Sequence, residues 1–204
     1  MKKISKWVFS VALVSNLSIG AVSCSTPDIN NEINNNTNEN TKSKTIVVYF
    51  SWSNGTENMA NYIANKLGVK TFKIERELPY SSNYSELSED AKNEAVNNLR
   101  PKMKEYPDYI NNYEYILLGF PIWWHVAPMI IGSFLEHYNL DNKHIFPFIR
   151  SSAYLSEHLN RALNYLKDNS SKDAIIEKEV YSSSRNDVDK WLVNTYLDKL
   201  KTTE

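Results

Sequence analysis

The residues 51–56, Ser51-Trp52-Ser53-Asn54-Gly55-Thr56, carry three hydroxyls and an Asn-Gly pair. Ser51, Ser53 and Thr56 can each donate and accept hydrogen bonds. Asn54 and Gly55 tolerate the positive φ of a tight turn. The segment follows an apolar run, Thr45-Ile46-Val47-Val48-Tyr49-Phe50, and precedes residues with helical spacing. A loop that delivers the chain from a strand into a helix presents first-turn amides without partners and about half a positive charge. The chemistry of such a loop is anion binding, with a phosphate dianion as the natural ligand. No Lys or Arg lies within it, so the predicted cradle is one of hydroxyls and amides. The Walker pattern and G-x-G-x-x-G are both absent, which leaves ATP or NAD binding through those motifs unsupported. A Ser/Asn/Gly turn that merely caps a helix has the same composition. Its place after a buried strand is what favours a ligand.

A second loop, Pro121-Ile122-Trp123-Trp124-His125, follows another apolar run, Tyr115-Ile116-Leu117-Leu118-Gly119. Burying one indole is worth up to ~4–6 kcal/mol, from 150–250 Å² at ~25 cal/mol per Å², so two adjacent Trp on a loop need something to cover them. They can pack on the helix opened by Pro128, or one can stack on a flat aromatic ligand while the other anchors the loop. A loop of this kind beside a phosphate cradle suits a planar aromatic group with a phosphate tail. His125 is placed to donate to such a ligand, although a solvated or locally satisfied imidazole is the simpler expectation.

The elements that must position these loops follow from periodicity. The run 45–50 suits a strand covered on both faces of a parallel sheet. Met59, Ala60, Ile63, Ala64 and Leu67 mark a helix that Gly68 ends. Strands are expected at 69–74 and 115–119, and at 144–149 despite Pro147, which cannot donate to a ladder. An edge strand is expected at 174–180. Ile131, Phe134, Leu135 and Tyr138 line a helix after Pro128, and Leu155, Leu159, Ala162, Leu163 and Leu166 line another. Ser184-Arg185-Asn186-Asp187 fits a capping box before the last helix. Leu87, Ala91, Ala95, Val96 and Leu99 mark a further helix in the long connection 76–112, where Glu86, Glu89, Asp90 and Glu94 read as a solvated face. The predicted fold is a doubly wound α/β/α sandwich around five parallel strands, with ligands at the carboxyl ends of the central strands.

The pairing of Y-F-S-W-S-N-G-T with G-F-P-I-W-W-H-V-A-P resembles the flavodoxin-like family, in particular small single-domain flavodoxins with a P-I-W-W loop. The resemblance spans about residues 45–200. It implies flavin mononucleotide (FMN) as cofactor, with its phosphate on Ser51, Ser53, Asn54, Gly55 and Thr56. It implies flavin contacts from Pro121, Ile122, Trp123 and Trp124, and a ring enclosed by the loop after the fourth strand, where Ser151 and Tyr154 are the candidates. Two departures stand out. The order Asn54-Gly55 inverts the family's usual Gly-Asn, and the segment 150–154, Arg-Ser-Ser-Ala-Tyr, lacks the family's glycines. In this loop Tyr154 can cover the second flavin face, or Arg150 can meet the pyrimidine oxygens; equally, the bulk of the loop can weaken flavin binding.

The chain begins with a basic Met1-Lys2-Lys3-Ile4-Ser5-Lys6, an apolar stretch to Val22, and Ala21-Val22-Ser23 before Cys24. This is the pattern of an export signal over 1–23, and it resembles the lipobox of bacterial lipoproteins with Cys24 as the lipidated residue. Several acyl chains on one residue anchor a protein stably. Cys24 is the only cysteine, so cysteine nucleophiles and disulfides are excluded for the processed chain. Residues 24–44, with seven Asn in 25–44, read as an anchor and disordered tether, and 45–204 as one domain. Without the leader, 20 basic residues face 24 acidic ones. No basic patch with interleaved aromatics exists to favour nucleic acid. The remaining histidines, His137, His144 and His158, lack metal spacing and read as surface or element-end residues.

The expected function is an exported, membrane-anchored FMN protein that carries electrons or reduces a small acceptor, with NAD(P)H or a quinone as conceivable reactants and no identified redox partner. The alternative, motivated by the glycine-free loop, is a flavodoxin-shaped surface module that has lost its flavin and binds a partner or small ligand.

Overall fold

The computed structural model describes residues 39–150 and 155–203. The leader, Cys24, the tether up to residue 38, Ser151 and Tyr154 lie outside the described residues. Strands β1 (Thr45–Phe50), β2 (Lys70–Ile74), β3 (Tyr115–Pro121) and β4 (His144–Arg150) are parallel neighbours in the order β2-β1-β3-β4. The fifth position is filled by two short pieces, β5 (Ile175–Ile176) and β6 (Val180–Tyr181), both paired to β4. This is the doubly wound parallel sheet expected from the sequence, in the order 2-1-3-4-5.

Alternation along β1 explains why both faces are covered. Ile46, Val48 and Phe50 enter one core with α4 (Met129–His137) and α5 (Ser156–Asn169). Val47 and Tyr49 enter the other with α2 (Gly55–Leu67) and the C-terminal helices. Those are α6 (Arg185–Trp191), a π-helical turn (Leu192–Leu197) and α7 (Asp198–Thr203). Gly68 ends α2 at φ 67°, as its place in the sequence indicates. The Ser184 side chain caps α6 through the Asp187 amide, while the Asp187 carboxylate accepts from Ser182.

The edge strand departs from the single run 174–180. Ile145 and Ile149 of β4 accept from the amides of Glu177 and Ser182. Pro147, lying between them on the same side of β4, has no N–H to give to that neighbour. The ladder breaks opposite it, and the fifth strand splits into β5 and β6. Pro147 is thus accommodated in an inner strand because its missing donor faces the interrupted edge. Residues 39–44, assigned from composition to the tether, also carry structure. Helix α1 (Glu39–Ser43) lies against β1, and Thr45 Oγ1 donates to the Thr41 carbonyl at 2.8 Å. Helix α3 (Tyr84–Val96) occupies the β2–β3 connection, followed by a 3₁₀ helix (Asp108–Asn112). No helix among the described residues is long and apolar enough to cross a membrane.

Candidate functional site

β1 and β3 are adjacent and in register, Tyr49 beside Gly119. Their carboxyl ends therefore deliver both loops to one edge of the sheet. Gly119 is required here by close approach. The Phe148 ring of β4 lies over it, 2.1–2.8 Å from where a Cβ would sit.

The loop after β1 turns on Asn54, whose φ of 60° is left-handed. Gly55 is not left-handed, in contrast to the Asn-Gly turn expected. Asn54 is the N-cap of α2, but its side chain makes no capping bond. The first-turn amides, which no intrahelical carbonyl can reach, are left for another acceptor. Thr56 is buried, Ser51 nearly so, and Ser53 and Asn54 are exposed. Glu57 would oppose an anion at this helix start. Its carboxylate is held instead by Lys73 at 2.9 Å. Trp52 donates from Nε1 to the Ser81 carbonyl at 3.0 Å, tying the loop to the β2–α3 connection.

The tryptophan pair splits. Trp123 is half-buried, with its indole edge-to-face on Phe50 and Tyr80, both at 5.0 Å between centroids. Trp124 turns the other way and is 40% exposed. Its neighbours are Lys92, whose Nζ lies 5.2 Å from the ring, and His125. A hairpin turn causes this split. Trp123 and Val126 exchange backbone bonds of 2.9 and 3.0 Å, and Trp124 and His125 between them have φ of 42° and 67°. That is the type I′ arrangement, which Asn-Gly normally occupies. His125 leaves the loop altogether and shares a 2.7 Å hydrogen bond with His158 of α5, Nδ1 to Nε2.

Between the two loops lies a cleft of about 380 Å³, within the range of small-ligand pockets. Ser53, Gly55 and Thr56 line it on one side and Pro121, Ile122 and Trp123 on the other. Tyr84 and Leu87 of α3, Ser183 and Arg150 complete the wall. Ser51 lies by a separate hollow beneath the loop, Trp124 by hollows toward α3 and α5, and Asn54 acts through its backbone. Arg150 was expected near a ring oxygen. Its Nη1 instead donates to the Gly55 carbonyl at 2.7 Å, at the end of the loop after β1. The sequence put it in the loop after the fourth strand; it is the last residue of β4, and nothing in the sequence signals its reach across the end of β3. Tyr84 and Leu87 were missed as cleft residues because they sit on the inserted helix rather than at a strand end.

The solvated face assigned to α3 needs one correction. Glu94 is 3% exposed. Tyr80 donates to its Oε2 at 2.9 Å, and the Arg76 guanidinium stands 3.6 Å from its Oε1. Burial pushes the Glu94 carboxyl above the ordinary carboxylate range, against the opposing pull of Tyr80 and Arg76. Burial, and then the Glu94 charge, push the Tyr80 hydroxyl upward. Arg76 also stacks on the Tyr80 ring at 4.7 Å. This cluster backs the Tyr80 ring on which Trp123 rests. His144, read as a surface or element-end residue, opens β4 and is buried, bonded to Glu177 at 2.6 Å.

Comparison with known proteins identifies the family. The flavodoxin family profile matches residues 44–195. This chain belongs to the flavodoxin family. Among solved structures it is similar to a candidate flavoprotein from Bacteroides eggerthii, with TM-score 0.63 and 26% identity over 73% of this chain and 95% of that one. A candidate flavoprotein from Bacteroides uniformis gives TM-score 0.64 and 26% identity over 73% and 97%. A Lactobacillus acidophilus flavoprotein, solved in complex with FMN, shares the fold at TM-score 0.60 and 22% identity over 72% and 97%. No curated protein matches the sequence.

Proposed function

We propose that this flavodoxin family member binds FMN in the cleft between the loops after β1 and β3 and passes electrons through it. The observation that carries the reading is the cleft itself. An uncapped helix N-terminus with buried Thr56 lies on one wall, and an indole fixed by two neighbouring rings lies on the other. Family membership and the FMN complex of the Lactobacillus acidophilus protein support the choice of ligand.

The residues fit the group. Ser53, Thr56 and the first amides of α2 would take the phosphate. Pro121, Ile122 and Trp123 would lie along the ring, with Tyr84 and Leu87 closing the cleft from α3. The flavin, when bound, supplies the redox chemistry. The chain binds it, orients it and keeps water from the face that meets Trp123. Titration with FMN, followed by quenching of flavin fluorescence, should give close to one flavin per chain. Protein that stays colourless at saturating FMN rejects the assignment.

The same proposal places the protein outside the cytoplasm, anchored through lipid on Cys24, on the strength of the basic, apolar and small-residue order of residues 1–24. Metabolic labelling with a tagged fatty acid should mark the wild type and not Cys24→Ser. Equal labelling of both refutes the anchor.

A further inference from the structure

The cradle is not the uncharged one that its own loop suggests. Arg150 ends β4, two strands away from β1 in the sheet. Its guanidinium nevertheless crosses the end of β3 and reaches the start of α2. The Nη1–Gly55 bond is 2.7 Å, and the guanidinium carbon lies 3.5 Å from where a Gly55 Cβ would sit. The base of the side chain is fixed as well. The Arg150 carbonyl accepts from the Ile122 amide at 3.3 Å, so the strand end is held to the tryptophan loop. Arg150 thus lines the same cleft as Ser53, Thr56 and Trp123.

Among the described residues, its charge has no ionic partner. The ion pairs among the described residues do not include Arg150. The acidic residue closest in sequence to the cradle, Glu57, is taken by Lys73. A guanidinium has five donors in a fixed fork suited to carboxylate or phosphate. One bond to a neutral carbonyl uses little of that capacity. A phosphate on the amides of α2 would stand beside the guanidinium and accept charge-assisted bonds that a neutral ligand group cannot match.

Resting on the FMN reading above, we propose that Arg150 is the specificity residue of this site: it selects the phosphorylated flavin over riboflavin by neutralising the phosphate. The contribution comes from β4, outside the loop motif that otherwise holds the phosphate.

The test compares FMN with riboflavin on wild type, Arg150→Gln and Arg150→Lys, with dissociation constants from flavin fluorescence at two ionic strengths. Removing a charged partner from a hydrogen bond predicts a loss of about 10- to 100-fold in FMN affinity for Arg150→Gln. Riboflavin affinity should change less than about threefold, which also shows that the variant is folded. Arg150→Lys, which keeps the charge without the fork, should recover part of the FMN affinity. Wild-type FMN binding should weaken with salt more steeply than that of Arg150→Gln. Equal losses for both flavins would make Arg150 a packing residue and overturn the inference. A gain in FMN affinity would overturn it too, showing that the guanidinium obstructs the phosphate seat. Wild-type protein that takes up neither flavin overturns the FMN reading along with it, whereas wild type that binds FMN beside an unaffected Arg150→Gln overturns this inference alone.

Discussion

Trp123 and Trp124 are adjacent and chemically identical, yet substitution should separate them. Trp124 is 40% exposed and Trp123 less so, so truncation to Ala forfeits more than half of a 150–250 Å² indole at either position, or about 2–4 kcal/mol at ~25 cal/mol per Å². The difference lies in what each ring meets. Trp123 makes two edge-to-face contacts, with Phe50 and Tyr80 at 5.0 Å, worth about 0.5–1.5 kcal/mol each. Trp124 has its contact with Lys92, worth about 0.5–1 kcal/mol. Trp123→Ala should therefore cost more than Trp124→Ala, by about 1 kcal/mol. Trp124→Gly should cost still less, because glycine removes the penalty of φ 42°.

Urea unfolding of the apo protein measures these differences directly, since they change the midpoint at nearly constant slope. FMN affinity supplies the second readout. Trp123 lines the cleft and Trp124 does not. Trp123→Phe, a milder change that keeps a ring, should weaken FMN by about tenfold, the equivalent of ~1.4 kcal/mol. Trp124→Ala should leave it within about threefold, below ~1 kcal/mol. If Trp124→Ala costs as much as Trp123→Ala in stability, or as much as Trp123→Phe in affinity, the division of roles read from the hairpin turn is wrong.

Two more substitutions probe what lies behind the cleft. The folded-state pKa of Glu94 is raised by burial, so the native state binds more protons than the unfolded chain between the two values. Its contribution to stability is then best at low pH and is lost as pH rises from the unfolded value through the folded one. Glu94→Gln keeps an acceptor for the Tyr80 hydroxyl, so it should stabilise at pH 7, and the gain should shrink as pH falls through the carboxylate range. A difference from wild type that is constant over that range in denaturant melts refutes the account. Gly119→Ala places a methyl group against the buried Phe148 ring, and overpacking of that kind should cost about 1–3 kcal/mol. An unchanged thermal midpoint would show that the ring yields freely.

What could be read in the sequence was whatever depends on near neighbours. The β-branched run of β1, the stop at Gly68 and the cap at Ser184 are decided within a few residues, and all three are found. The loops could be placed at the carboxyl end of the sheet because parallel crossovers leave no other arrangement. The destination of each side chain could not. Glu94 looks like any helix carboxylate until Tyr80 and Arg76 are brought beside it. Pro147 argues against an inner strand until its nitrogen is seen to face the break between β5 and β6. Arg150 belongs to one strand and serves the loop of another. In each case the deciding partner comes from a different element, brought near by the fold and not by spacing along the chain.

The same logic explains where the backbone is strained. The described non-glycine residues with positive φ are Asn54, Asn98, Trp124, His125 and Asn142. Three of these sit on the two loops that border the cleft. A left-handed backbone costs an L-residue about 1–2 kcal/mol, and Trp and His gain nothing locally to offset it, whereas Asn can. The hairpin at residues 123–126 must be held from outside. Its own pair of backbone bonds, the packing of Trp123 on Phe50 and Tyr80, and the His125–His158 bond supply that hold. Asn54 does the corresponding work on the other wall, since its left-handed turn leads the chain into α2, whose first residues Gly55 and Thr56 line the cleft. Both walls are therefore set by contacts with the packed sheet and its neighbours before any ligand arrives. A site built this way loses little ordering entropy on binding. This is why a substitution beneath it, at Gly119 or Glu94, should be felt in flavin affinity as well as in stability.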